Sequence, residues 1–189
     1  MAPAQESSTS LTKEISSVPL LDVGRGNKKI RQEILKKISE VYDAGCFVYG
    51  PDCRELESRI AEISSAKYAI GCASGSEALL VALMAHDIGP GDEVILPSFT
   101  FFATASAVWR LGAKVVFADI DPSTFNMDAK HVESLVNSNT RAIIPVHLFG
   151  QCADMDLLGI LADQHGLLVI EDAAQSIGSK FNGKACGAI

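Results

Sequence analysis

Residues 89–118, GPGDEVILPSFTFFATASAVWRLGAKVVFA, decide the fold. Gly89-Pro90-Gly91-Asp92 is a turn signal, and the apolar run that follows at 93–96 is too short for a helix but the right length for a buried strand. Residues 101–111 have helical length, and Gly112 stands where a helix end favours a left-handed residue. A second short apolar run, 114–118, completes strand, helix and strand. That succession is a βαβ unit, and a crossover of this kind joins parallel strands.

The same alternation extends in both directions. Further strands are expected at 68–73, 141–146 and 167–170, with helices at 76–86, 129–136 and 155–165 and Gly166 closing the last of these. Upstream, Ile30, Ile34, Leu35 and Ile38 recur at helical spacing through 28–43, with Gly45 as the stop. A second helix follows Gly50-Pro51, with Asp52 as its cap and Leu56, Ile60 and Ile63 as its apolar stripe. These elements predict an α/β fold with a mainly parallel sheet flanked by helices. Residues 1–17 are expected to be a flexible tail, 18–66 an N-terminal helical segment and 67–189 a partial α/β domain. Residues 180–184 form a hairpin or turn, with no closing helix after it. A sheet that stops there would expose an apolar face or an unpaired edge, so the domain is expected to be truncated.

Composition narrows the function. The chain has 189 residues, 48% of them hydrophobic, and a net charge of −7. That is enough apolar material for one substantial core. The negative charge, with no Lys/Arg-rich stripe, argues against nucleic acid as a partner. The opening MAPAQESSTS lacks the basic start and apolar stretch of a secretory signal, and the runs 142–146 and 167–170 are too short to span a bilayer. A soluble cytoplasmic protein is expected, with no membrane partner. Cys46, Cys53, Cys72, Cys152 and Cys186 show no C-x-x-C spacing, so all five are expected to be reduced.

Four strand exits could carry chemistry. Ser74-Gly75-Ser76-Glu77 follows an expected strand and opens a helix. The S-x-x-E spacing of Ser74 and Glu77 is that of a capping box, and Gly75 would let a phosphate approach the helix N-terminus; an ordinary cap is the alternative. Val169-Ile170-Glu171-Asp172-Ala173-Ala174-Gln175 delivers two carboxylates and an amide at a strand's C-terminal end, where parallel sheets bind ligands. Asp172 there could keep a pyridine nitrogen protonated, or could simply cap the next helix. Phe99, Phe101 and Phe102 stand together in a chain that is only 6% aromatic. One ring could stack on a flat cofactor, and at least two are expected to pack in the core. His147 lacks a second ligand at metal spacing and reads as a structural hydrogen-bonding residue, Asp119 and Asp121 as turn formers, and no metal is assigned.

Taken in order, Phe47-Val48-Tyr49-Gly50-Pro51, Ser74-Gly75-Ser76-Glu77-Ala78-Leu79, Gly89-Pro90-Gly91-Asp92-Glu93-Val94-Ile95, Asp119-Ile120-Asp121-Pro122, Pro145-Val146-His147-Leu148-Phe149-Gly150 and Ile170-Glu171-Asp172-Ala173-Ala174-Gln175 resemble the DegT/DnrJ/EryC1/StrS family of sugar aminotransferases that use pyridoxal phosphate (PLP). The resemblance runs from about Val18 to the end. It implies the large domain of the aspartate-aminotransferase fold, PLP-transferase type I, of which this would be the N-terminal half.

It also implies roles. Ser76 and the amide of Glu77 would hold the PLP phosphate, Phe101 would stack on the pyridine ring, Asp172 would pair with the ring nitrogen and Gln175 would contact the 3-hydroxyl. The reaction would move an amino group from an amino donor, usually glutamate, to a nucleotide-linked keto sugar, in a homodimer when full length. The Schiff-base lysine would fall about a dozen residues beyond Ile189, leaving no catalytic residue in this chain, with Lys180 and Lys184 poor substitutes. A PLP-dependent sugar dehydratase, with histidine at the lysine's place, is one alternative. A truncated non-catalytic protein is the other.

Overall fold

The computed structural model describes residues 18–189, so the tail expected at 1–17 lies outside the described residues. The chain divides into two compact units, one ending at Gly50 and the other comprising Pro51–Ile189.

In the first unit, α1 (Val23–Asn27) is capped by Asp22, whose Oδ1 accepts the Arg25 N–H at 3.0 Å. A 3₁₀ turn (Lys28–Ile30) leads into α2 (Arg31–Ala44), which Gly45 ends at φ 64°. The helix forms where its periodicity places it, and the left-handed C-terminal residue is the glycine the sequence indicates.

The second unit opens with α3 (Pro51–Ser64). Pro51 is its first residue, a position whose N–H has no intrahelical acceptor in any case, and Asp52 therefore sits inside the first turn and is not the cap. Next come α4 (Gly75–Met84), β1 (Glu93–Pro97), α5 (Phe102–Arg110), β2 (Lys114–Ala118), α6 (Ala129–Leu135), β3 (Thr140–Ile143), α7 (Met155–His165) and β4 (Leu168–Val169). The strands form one parallel sheet in the order β2-β1-β3-β4. A two-residue hairpin, β5 (Lys180–Phe181) and β6 (Lys184–Ala185), follows where the sequence predicts one.

Side-chain alternation sorts the core into two layers. Val94, Leu96, Ala142 and Ile144 pack with Leu79, Leu80 and Leu83 of α4 and Ala107 and Val108 of α5. Ile95 and Ile143 point the other way, against Val132 of α6 and Leu158 and Leu161 of α7. Both faces are covered, which is why β1 reads as an unbroken apolar run.

Three expectations are corrected. Residues 68–73 form no strand, because a strand exists only through a neighbour and none among the described residues pairs with this stretch. Ile70 is 83% exposed, and the Gly71 N–H is taken by the Glu57 carboxylate at 2.7 Å. The strand expected at 141–146 ends at Ile143; Pro145 has no N–H to give, and pairing resumes only as a single bridge between Val146 and Asp172. The five cysteines are not all reduced: Cys152 and Cys186, 34 residues apart, form a disulfide, while Cys46, Cys53 and Cys72 are free. Among the described residues no helix is long and apolar enough to cross a membrane. Neither edge strand, β2 or β4, has an outer partner among them, and Phe117 on β2 is half exposed.

Candidate functional site

The strand order reverses at β1: the chain leaves β1 for β2 on one side, while β3 pairs on its other side and leads to β4. Loops leaving neighbouring strands in opposite directions open a crevice at their C-terminal ends. A cavity of about 210 Å³ lies there. Its walls come from the start of α4 (Gly75, Ser76), the β1 exit (Thr100, Phe101), the β3 exit (Val146, Leu148) and the segment after β4 (Asp172, Gln175).

The α4 wall is a helix N-terminus. Ser74 is extended, and its Oγ accepts the Glu77 N–H at 3.2 Å. The capping box is only half formed, because the Glu77 carboxylate reaches Arg110 Nη1 at 2.7 Å. The Glu77 amide expected to bind phosphate is therefore engaged by the cap. The N–H groups of Gly75 and Ser76, the first two of the helix, have no partner among the described residues, and the space where a Gly75 Cβ would stand is open. An anion there would meet two free donors and the positive end of the helix dipole.

Asp172 forms the floor and is 8% exposed. Thr104 of α5, completely buried, donates its hydroxyl to Asp172 Oδ2 at 2.8 Å. Thr100 Oγ1 stands 3.2 Å from Thr104 Oγ1, and Asp172 Oδ1 receives only a long contact, 3.3 Å, from the Ala174 N–H. One carboxylate oxygen is thus fixed, and the other retains accepting capacity. Sequence reasoning missed Thr104; its only local signal was the Thr100/Thr104 i,i+4 spacing that puts both hydroxyls on one face.

Phe101 precedes α5, lines the cavity and is 73% exposed. Phe102 is equally exposed, and Phe99 (48%) leans on Phe125 and Phe149 with ring centroids 6.0 and 6.4 Å away. None of the three is a core residue, contrary to expectation. They leave β1 at its C-terminal end and so project past the sheet, not between its layers. Gln175 Oε1 accepts the Phe149 N–H at 2.9 Å, which directs the amide nitrogen of Gln175 away from that contact.

Behind Asp172, His147 is completely buried with both ring nitrogens used. Nδ1 accepts the Ala153 N–H at 3.0 Å, so the ring proton resides on Nε2, which donates to Glu171 Oε2 at 2.8 Å. The same carboxylate accepts the N–H groups of Gly187 at 2.8 Å and Ile189 at 2.7 Å. Burial works against its ionisation, but the bonds from His147, Gly187 and Ile189 outweigh it and hold the carboxyl below the usual glutamate range. Asp121 accepts from the hydroxyl and N–H of Ser123, and Asp119 Oδ1 from the Ile120 N–H; both shape the turn after β2.

A carboxyl whose folded pKa is depressed stabilises the fold above its unfolded pKa, and that contribution fades as pH falls through the folded value. Thermal unfolding followed from pH 7 down to pH 3 is expected to show an acid loss that is smaller in Glu171→Gln. An unchanged acid limb in that variant would remove Glu171 as a source.

Residues 28–189 match the DegT/DnrJ/EryC1/StrS aminotransferase family. The chain is 52% identical to a pleiotropic regulatory protein of Geobacillus stearothermophilus over 90% of this chain and 46% of that protein. It is 46% identical to UDP-2-acetamido-2-deoxy-3-oxo-D-glucuronate aminotransferase of Pseudomonas aeruginosa over 88% of this chain and 46% of the relative. Among solved structures, S. venezuelae DesV in complex with a ketimine intermediate superposes with a TM-score of 0.88, at 41% identity over 91% of this chain and 46% of that one. NtdA from Bacillus subtilis with bound cofactor PMP gives 0.87, at 37% identity over 93% and 40%. The chain spans about half the length of the curated relatives it matches. With the cavity at the strand ends, the half-capped helix facing it and the buried aspartate beneath it, the extent of this match shows that the chain belongs to the DegT/DnrJ/EryC1/StrS aminotransferase family.

Proposed function

We propose that the protein containing this chain is a PLP-dependent aminotransferase that moves an amino group, from glutamate as donor, to a nucleotide-linked keto sugar. We further propose that it works in the cytoplasm as a homodimer. The observation that carries this is Asp172: a nearly buried carboxylate at the C-terminal end of a parallel sheet, steadied on one oxygen by Thr104 and bordering a cavity whose opposite wall is a helix N-terminus.

The residues present fit the cofactor. Asp172 would hold a proton on the pyridine nitrogen, because a neighbouring negative charge favours the protonated ring. Ser76, with the free amides of Gly75 and Ser76 itself, would receive the phosphate; the role first given to the Glu77 amide passes to them, since that N–H is committed to Ser74. Phe101 would cover one ring face, and the Gln175 amide nitrogen would donate to the 3-oxygen. Bound PLP supplies an electron sink for the carbanion formed during transfer.

No lysine lines the cavity. Covalent attachment and proton shuttling are therefore assigned to a lysine expected beyond Ile189 in the full-length enzyme, and the 189-residue chain by itself is expected to bind the cofactor noncovalently without turnover. The nucleotide-sugar substrate named for the Pseudomonas relative supports the substrate class.

Equilibrium dialysis of PLP against this chain tests the cavity. Weak, reversible binding is expected, competed by inorganic phosphate and reduced by Ser76→Ala and by Asp172→Asn. Binding indifferent to both substitutions would place the cofactor elsewhere. A borohydride-trapped adduct on Lys180 or Lys184 would overturn the lysine assignment.

A further inference from the structure

The disulfide closes a ring that also includes buried His147 and the largely buried Glu171 behind the cavity. Cys152 precedes Ala153, whose N–H is bound by His147; His147 donates to Glu171; Glu171 accepts the N–H of Gly187, the neighbour of Cys186. Breaking the sulfur link leaves the segment 186–189 attached at this point by the Glu171 bonds and by the Cys186 N–H to the Ser179 carbonyl at 3.0 Å. The two Cα atoms are 6.6 Å apart, a span a disulfide bridges without backbone movement.

The two sulfurs differ in access. Cys186 is 4% exposed, whereas Cys152 is half-buried and lines an open cleft of about 440 Å³ beside Asn126, Asp154 and Phe181. A partly exposed cysteine paired with a buried one suits stepwise thiol–disulfide exchange, in which the more accessible thiolate attacks first.

We propose that Cys152 and Cys186 form a reversible thiol switch, Cys152 reacting with a small-molecule disulfide and Cys186 resolving it, that clamps residues 186–189 against the His147–Glu171 pair. In the forward direction the Cys152 thiolate attacks oxidised glutathione, giving a mixed disulfide and releasing one glutathione thiol. The Cys186 thiolate then displaces the second. Two protein thiols are oxidised, one glutathione disulfide is reduced to two thiols, and the two thiol protons pass to the released glutathione. Reduction is the same exchange reversed, begun by glutathione attack at Cys152. Asp172 is the next residue after Glu171 and is backbone-paired to His147 through the His147 N–H at 3.1 Å, so the clamp lies directly behind the cavity floor.

The test uses this chain with Cys46, Cys53 and Cys72 changed to serine, equilibrated across reduced-to-oxidised glutathione buffers. Free thiols are trapped by alkylation and located by mass spectrometry, and amide exchange is followed at Ala153, Gly187 and Ile189. Cys152 and Cys186 are expected to lose alkylation together, and exchange at Gly187 and Ile189 to slow by roughly tenfold in the oxidised form, about 1.4 kcal/mol of local opening. Cys186→Ser should trap the glutathione adduct on Cys152, while Cys152→Ser should leave Cys186 unmodified. A pair reduced throughout, a pair still oxidised in fully reduced buffer, or exchange rates equal in the two forms would each overturn the switch. The redox comparison is made on one polypeptide, so it stands even where Cys152→Ser or Cys186→Ser does not fold. PLP dialysis on the same samples reports on the cavity separately, since loss of cofactor binding in both forms would count against the proposed function and not against the thiol chemistry.

Discussion

Asp172→Asn is expected to lower transamination by about 10²–10³-fold in the protein that carries the complete activity, in line with removal of one preorganised electrostatic group from an active site. The substitution keeps the shape of the side chain. Thr104 Oγ1, 2.8 Å from Oδ2 in the parent, can still donate to an amide oxygen, so the fold has little reason to suffer. What disappears is the negative charge, and with it the reason for a pyridine nitrogen in this cavity to stay protonated. Steady-state rates with glutamate and a nucleotide-linked keto sugar measure the loss, and chemical denaturation measures stability. Stability within about 1 kcal/mol of the parent is the expected companion result, since only the long Ala174 N–H contact to Oδ1 is lost. Asp172→Asn with undiminished activity would separate Asp172 from the chemistry. Thr104→Val supplies an independent check: it removes the donor that steadies Asp172 without touching the charge, so it should weaken PLP binding less than Asp172→Asn does.

The sequence was informative wherever a property is local. β1 and β2 are legible because both are short apolar runs bounded by turn residues, and Gly45, Gly112 and Gly166 take positive φ where helix ends require it. The strand exits are legible too: Ser76, Phe101, Asp172 and Gln175, the residues the local motifs single out, line one cavity. Properties that depend on a distant partner were not. Residues 68–73 have strand-like composition, but no chain pairs with them among the described residues. The bond between Thr104 and Asp172 crosses 68 residues, and the cysteine pair crosses 34 with no spacing motif to announce it. Composition places at least two of Phe99, Phe101 and Phe102 in the core because it reports hydrophobicity and not whether a side chain lies between layers or beyond the end of a strand.

His147 illustrates the same division, since the sequence marked it as structural while only the fold shows how much rests on it. His147→Ala is expected to destabilise the second unit by about 3–5 kcal/mol, the combined cost of the void left by a large buried side chain and of a buried donor left unsatisfied. Three losses combine. The side chain is completely buried, so its removal leaves a void. The Ala153 N–H loses its acceptor, and Glu171 loses the donor that helps keep it ionised despite burial. An unsatisfied buried donor alone costs about 1–3 kcal/mol. Urea denaturation measures the total, and amide exchange shows where it falls: Ala153, Gly187 and Ile189 should lose protection before the β1–β3 core does, because their partners form one connected group around His147 and Glu171. A loss below about 1 kcal/mol, or one spread evenly over the sheet, would mean that this group is not what secures the segment behind Asp172.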